Sequence, residues 1–229
     1  MLERLKQQVC QANRDMAMHG LITLSWGNVS GIDRQLGLVA IKPSGVPYRN
    51  LKPECIVIVD LDGKKVEGDL RPSSDTPTHV LLYRQFKGIG GITHTHSRHA
   101  TIFAQARREI PCFGTTHADH FNGPVPVTRP LTAEEVDADY EGHTGRVIVE
   151  RFTEINPLVL PAVLVAGHAP FTWGKNADES LCNAIALEAV AEMALGTLHA
   201  NPNAPELESY VLDKHHKRKH GPNAYYGQE

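Results

Sequence analysis

The stretch Gly90-Gly91-Ile92-Thr93-His94-Thr95-His96-Ser97-Arg98-His99 constrains this chain more than any other. Glycines followed by β-branched residues predict a short buried strand. Side chains alternate between the faces of a strand, so His94 and His96 point the same way and can grip one metal ion through two imidazoles. Two satisfied polar histidines at a strand end would give the same pattern. The company of the pair tips the balance: Asp75 stands upstream in a turn-rich stretch, and His168 downstream at the end of an apolar run.

The 229 residues are enough for one well-buried domain. No Ser/Gly-rich linker or composition shift divides them, so residues 1–229 are expected to form a single domain. The apolar fraction of 41% and the charged fraction of 21% are ordinary for a globular protein. A formal net charge of -3 with mixed signs argues against a nucleic-acid partner, which would call for a basic stripe. The first residues lack the apolar core of a signal peptide. The most apolar run, residues 158–167, is too short to span a bilayer and contains Pro161. Cys10, Cys55, Cys112 and Cys182 are widely spaced, with no C-x-x-C pair, which fits reduced thiols and a cytoplasmic location.

Along the chain, Leu2, Leu5, Val9, Ala12 and Met16 recur at a helical period, and Gly20 is a plausible stop. A short strand over residues 21–24 runs into Trp26-Gly27-Asn28-Val29-Ser30, where Gly27 and Asn28 make either an ordinary turn or a loop that a ligand can approach closely. A strand over 38–41 ends in Lys42-Pro43-Ser44-Gly45-Val46. There a cation, a hydroxyl and an open backbone suit an oxyanion, although no P-loop pattern occurs. A strand over 56–60 is followed by Asp62-Gly63, a hairpin signal, with 65–67 as the returning partner. In Arg71-Pro72-Ser73-Ser74-Asp75-Thr76-Pro77-Thr78-His79, the apolar spacing that follows puts Ser73, Ser74 and Asp75 at a helix N-terminus, with Pro77 in its first turn. These residues either cap the helix or bind a phosphate, leaving Asp75 as a carboxylate for a metal.

A helix is expected over 97–107 with Ser97 as candidate N-cap. Thr115-Thr116-His117-Ala118-Asp119-His120 crowds groups able to move protons into what reads as a loop, solvated or catalytic. Thr132 opens a helix, and 145–152 reads as a second one. A buried strand over 162–166 ends in Gly167-His168, where the imidazole is either a third ligand or a core histidine bonded to backbone. Residues 178–199 form the clearest helix. A last helix over 206–219 carries the run Lys214-His215-His216-Lys217-Arg218-Lys219-His220, and Tyr225 and Tyr226 beyond it suggest docking. Three imidazoles and a carboxylate suit a divalent transition metal such as Zn²⁺ acting as a Lewis acid. With the donor-rich loops, they point to a metal enzyme acting on a small, phosphorylated, oxygen-rich substrate.

The segments at 26–30, 42–46, 72–79, 94–99, 115–119 and 224–228 together resemble the class II aldolase/adducin family, and within it the sugar-phosphate 4-epimerases, from end to end. The resemblance implies an α/β fold: one α/β/α domain around a mainly antiparallel central sheet, assembled as a ring-shaped homotetramer with active sites at subunit interfaces. It implies one divalent metal per subunit, expected to be Zn²⁺, on Asp75, His94, His96 and His168. Substrate and phosphate would fall to Gly27, Asn28, Ser44, Gly45, Ser73 and Ser74, with His215 near the phosphate or the proton-transfer groups. Asp119 and Tyr226, from different subunits, would be the acid/base pair. His120 stands where the family leads one to expect an aromatic residue. The implied activity is interconversion of L-ribulose 5-phosphate and D-xylulose 5-phosphate by cleavage and re-formation of the C3–C4 bond, in pentose catabolism such as the arabinose route. The rivals are an aldolase of the fuculose or rhamnulose phosphate type, expected to carry Glu at the position of Asp75, a non-catalytic adducin-like domain, and a metal-dependent hydrolase. No nucleic-acid or membrane partner is expected.

Overall fold

The computed structural model describes residues 2–221, 224 and 225. Its centre is a seven-stranded sheet in the order β4-β3-β2-β1-β5-β7-β6, antiparallel at every step. The strands are β1 (Asn28–Asp33), β2 (Leu38–Ile41), β3 (Val57–Asp60), β4 (Lys65–Glu67), β5 (Gly91–His94), β6 (Ala162–Leu164) and β7 (Pro170–Gly174). The helices are α1 (Leu2–Met18), α2 (Thr76–Gln85), α3 (Arg98–Ala106), α4 (Thr115–Ala118), α5 (Ala133–Arg151), α6 (Ala177–Ala200) and α7 (Ser209–His220).

Strand parity sorts the apolar side chains into two layers. Val39, Val57, Val59 and Ile92 join Leu82, Phe103, Ile148, Val163 and Trp173 in the larger core, which also takes in α6. Ala40, Ile58 and Val29 face the other way and join Val9, Ala12, Met16 and Leu181. The sheet thus lies between helical layers, the α/β/α arrangement expected. By length and composition alone α6 is apolar enough to cross a membrane. Here it packs on β5, β7, α1 and α3 with Leu181, Leu187, Val190 and Ala191 buried, as a core helix.

Several local expectations are corrected. Residues 21–24 form bends rather than a strand, with Leu24 exposed and at φ 56°. The strand begins later, as β1, in the middle of the sheet. Its Asn, Ser, Gly and Asp conceal it from propensity. Gly31 is there because α1 crosses over it: a Cβ would meet Leu5 Cδ1 at 3.0 Å and Val9 Cγ2 at 3.1 Å. β7, which opens on a proline, pairs with β5 and was also hidden. The two helices expected after Thr132 run end to end as α5 and are divided at the non-helical Asp139 (φ -169°, ψ 86°), so the second begins earlier than residue 145. Residues 115–118 are a helical turn rather than a loop. Ser97 does not cap α3 with its side chain. That task falls to Glu188 of α6, which accepts from the amides of His99 (2.9 Å) and Ala100 (3.0 Å) and from His99 Nδ1 (2.8 Å).

Candidate active site

β5 delivers His94 at its last position, and His96 follows just beyond it. The turn between β6 and β7 delivers His168, its amide donating to Val165 O at 2.9 Å. The strand is shorter than expected, yet the imidazoles converge. One nitrogen from each of His94, His96 and His168 lies within 4.8 Å of the others. Several features suit these rings to a metal. His94 Nδ1 donates to Pro170 O at 2.9 Å, which fixes the tautomer and leaves the Nε2 lone pair free. Phe171 stacks on the same ring at 4.1 Å. His168 Nδ1 is buried without a hydrogen-bond partner among the described residues. Burial, with the neighbouring imidazoles, pushes His96 down to about 4 and His168 to about 3, so both are neutral at ordinary pH, as metal ligands must be.

Asp75 occupies the N-cap position of α2 without capping it. Its carboxylate instead accepts from Asn28 Nδ2 at 2.6 Å and from Ser73 Oγ at 3.5 Å. Burial works to raise this carboxyl, but His94, His79, Asn28 and His168 outweigh burial and hold it below its ordinary range. An ionised carboxylate beside three converging imidazoles is a donor set that fits a divalent transition metal.

The loops expected to bind phosphate are drawn to the same place. Ser44 N donates to Arg71 O and Ser73 N to Lys42 O, each at 3.0 Å, which binds the loop carrying Ser44 and Gly45 to the one carrying Ser73 and Ser74. Asn28 Nδ2 reaches Ser73 Oγ at 3.2 Å. Gly27 precedes it at φ 100°, where a Cβ would stand 2.6 Å from His94 O, so only glycine lets β1 start against the ligand strand. Lys42, read only as part of its loop, is buried among them. Its ammonium reaches Pro43 O at 3.2 Å, sits over the Tyr48 ring at 4.8 Å, and burial lowers its pKa. A buried cation with no carboxylate partner among the described residues suits an anionic ligand.

Asp119 belongs to a second group. It follows α4 and meets α7, where Arg218 grips it with Nε (3.0 Å) and Nη2 (2.6 Å) and His215 Nδ1 lies at 3.1 Å. Burial raises the Asp119 carboxyl, but Arg218 and His215 outweigh it and keep it ionised. Beneath it, His117 Nε2 donates to Gly123 O at 2.9 Å. Sequence reasoning paired His215 with Asp119 only through the resemblance, and left Arg218 in a basic run. The i, i+3 spacing of the two on one helix was the available signal. Tyr140, at 6.0 Å from the His168 ring, gave no signal. Tyr226 lies outside the described residues. Tyr225 is exposed, with Lys214 over its ring at 5.3 Å.

A histidine cluster at the rim of an antiparallel sheet, fed by donor-rich loops, defines a class of protein. Residues 7–195 match the profile of the Class II Aldolase and Adducin N-terminal domain, and the chain belongs to that family. It is 53% identical over 228 residues, covering 100% of both chains, to L-ribulose-5-phosphate 4-epimerase UlaF of Salmonella paratyphi C (strain RKS4594). Among solved structures it matches an L-fuculose 1-phosphate aldolase with a TM-score of 0.79 at 23% identity, over 94% of this chain and 95% of that one. It also matches the L-fuculose 1-phosphate aldolase from Glaciozyma antarctica PI12 with a TM-score of 0.76 at 16% identity, over 94% and 81%. At such identities these two likenesses speak for the fold alone.

Proposed function

We propose that this protein interconverts L-ribulose 5-phosphate and D-xylulose 5-phosphate. The observation that carries this reading is the 53% identity, across the full length of both chains, to a protein named as an L-ribulose-5-phosphate 4-epimerase. Asp75, His94, His96 and His168 hold one divalent metal, Zn²⁺ by the chemistry of the donors. When bound, that metal supplies Lewis acidity toward the substrate carbonyl.

The hydrogen on C4 of a 2-ketose is not next to the carbonyl, so simple deprotonation cannot invert that centre. Breaking the C3–C4 bond can. A base takes the proton of the C4 hydroxyl, the bond electrons move toward C2, and an aldehyde carrying the phosphate is released within the site. The aldehyde turns over, the bond re-forms on its other face, and an acid protonates the new alkoxide. Asp119, held ionised by Arg218 and His215, serves on one face. Tyr226 serves on the other. Gly27, Asn28, Ser44, Gly45, Ser73 and Ser74, with the Lys42 charge, keep the aldehyde fragment from leaving.

Among the described residues, neither Asp119 nor His215 is hydrogen-bonded to the histidine cluster of its own chain. This supports a homotetramer in which one subunit brings Asp119 or Tyr226 to the metal of the next. Residues 1–229 act as a single cytoplasmic domain in pentose catabolism. The second reading is a sugar-phosphate aldolase, which would share the metal and the bond-cleaving half of the reaction; Asp75 speaks against it, because Glu is expected there in such enzymes.

The deciding assay gives metal-loaded protein L-ribulose 5-phosphate and follows D-xylulose 5-phosphate and free glycolaldehyde phosphate together. Epimer without fragments is expected. Fragments without epimer mean an aldolase. Asp119→Asn and Tyr226→Phe are each expected to lower kcat by roughly 10²–10⁴-fold with metal content unchanged, and His96→Ala to lose the metal.

A further inference from the structure

Tyr48 takes no part in the reaction as described, yet it touches two of the loops that build the anion site. It follows the Ser44-Gly45 loop, at the start of a single turn of 3₁₀ helix (Tyr48–Asn50), and is buried. Its hydroxyl lies 2.5 Å from Gly27 O and 3.3 Å from Trp26 O. Burial, with the Asp75 carboxylate, raises the phenol, so it keeps its proton. A phenol has one proton to give. Gly27 O is the nearer acceptor, so Tyr48 donates to Gly27 O. That carbonyl belongs to the residue held at φ 100° against His94 O, immediately before Asn28.

The same ring carries the Lys42 ammonium over its face at 4.8 Å. The negative face of an aromatic ring attracts a cation, more strongly where water is excluded. Among the described residues, the ring and Pro43 O are what offset the burial of this charge. One of the three ammonium protons goes to Pro43 O, which leaves donors for an anion. The three loops of the site are thereby tied in pairs. Backbone bonds join the Ser44-Gly45 loop to the Ser73-Ser74 loop, and Asn28 Nδ2 joins Ser73 to the Gly27-Asn28 turn. Tyr48 supplies the remaining tie, between the Gly27-Asn28 turn and the loop of Lys42 and Ser44.

We propose that Tyr48 is a positioning residue for the phosphate end of the substrate: its hydroxyl fixes the Gly27-Asn28 turn and its ring holds the Lys42 ammonium, so one side chain sets both around the phosphate. The inference deepens the functional reading above and rests on it. An enzyme that cuts the C3–C4 bond must retain the aldehyde fragment by its phosphate until the bond re-forms. A looser cradle therefore weakens substrate binding and also lets that fragment escape.

The test gives metal-loaded full-length enzyme L-ribulose 5-phosphate and reads four quantities: kcat, KM, the inhibition constant of inorganic phosphate, and free glycolaldehyde phosphate released per epimer formed. The thermal midpoint reports folding. Tyr48→Phe keeps the ring and loses the bond to Gly27 O, and Tyr48→Leu loses both. In Tyr48→Phe, KM and the phosphate inhibition constant are expected to rise about 3–10-fold, with more fragment released per epimer. Tyr48→Leu is expected to add a further rise of about the same size. A merely structural tyrosine would lower the thermal midpoint and the active fraction, and hence kcat, while KM, the inhibition constant and the fragment ratio stayed at the parent's values. That result overturns the proposal. Equal values in the two variants would overturn the role of the ring. Should Tyr48→Leu fail to fold, Tyr48→Phe decides by the same criteria. If the parent does not epimerise the substrate, the functional reading fails and takes the proposal with it. If the parent does and Tyr48→Phe matches it in KM, inhibition constant and fragment ratio, the proposal alone fails.

Discussion

The carboxylate of Asp119 receives a two-pronged guanidinium and an imidazole from one helix, and each of those side chains has its own chemical consequence. Burial alone would raise this carboxyl. The charged donors reverse the effect, so the group is ready to accept a proton at every pH above the ordinary aspartate value of about 3.9. Removing the guanidinium leaves burial less opposed. Arg218→Gln is therefore expected to raise the Asp119 pKa and to move the acid limb of kcat/KM upward by about one unit or more. A pH–rate profile of the variant against the parent checks this, and an unmoved acid limb would mean that another group governs it. The same residue carries a stability term of definite sign. Its pKa is depressed in the folded state, so the contribution is present above the unfolded value and is lost as pH falls through the folded one.

At the scale of elements, α3 depends on a carboxylate from α6 for its first turn. Three hydrogen-bond donors converge on Glu188, just after His96 leaves β5. Glu188→Gln weakens all of them and is expected to cost about 1–3 kcal/mol of unfolding free energy. Ser97→Asp in the same background supplies a local cap and should restore about 1 kcal/mol. Denaturant melts of the two variants measure both figures. Sequence spacing had placed α3 and its N-cap position, Ser97, but not the carboxylate that satisfies its first amides, because a partner drawn from a helix 89 positions away leaves no local mark. The same limit explains the other differences. The period of α1 and α6 and the Thr132 capping box are written in neighbouring residues and were legible. β1 and β7 are strands because of what lies beside them, so their Asn, Gly and Pro residues misled. In the site, the convergence of His94, His96 and His168 was legible in the sequence, but the grip of Arg218 and the burial of Lys42 required the fold.

For the molecule as a whole, buried imidazoles set the response to acid. Burial pushes His79 down to about 3 and His117 to about 4, while the unfolded chain protonates both near 6.5. Between those values the unfolded state binds more protons, so stability falls as pH drops below 6.5. Each such histidine removes about 1.4 kcal/mol per unit of pH. The metal-free protein is expected to melt several degrees lower at pH 5 than at pH 7. A flat midpoint over that range would mean that these rings are reached by protons in the folded state.

β5 lies between β1 and β7, strands far apart in the chain, and His94, His96 and His168 gather at the rim of these three. Before the sheet closes, the chain offers a lone His-x-His pair and scattered single donors. It becomes a chelator only when both ends have found the middle. If these imidazoles hold the metal as proposed, tight binding belongs to the closed sheet alone, and a chain with the sheet open competes poorly for the ion.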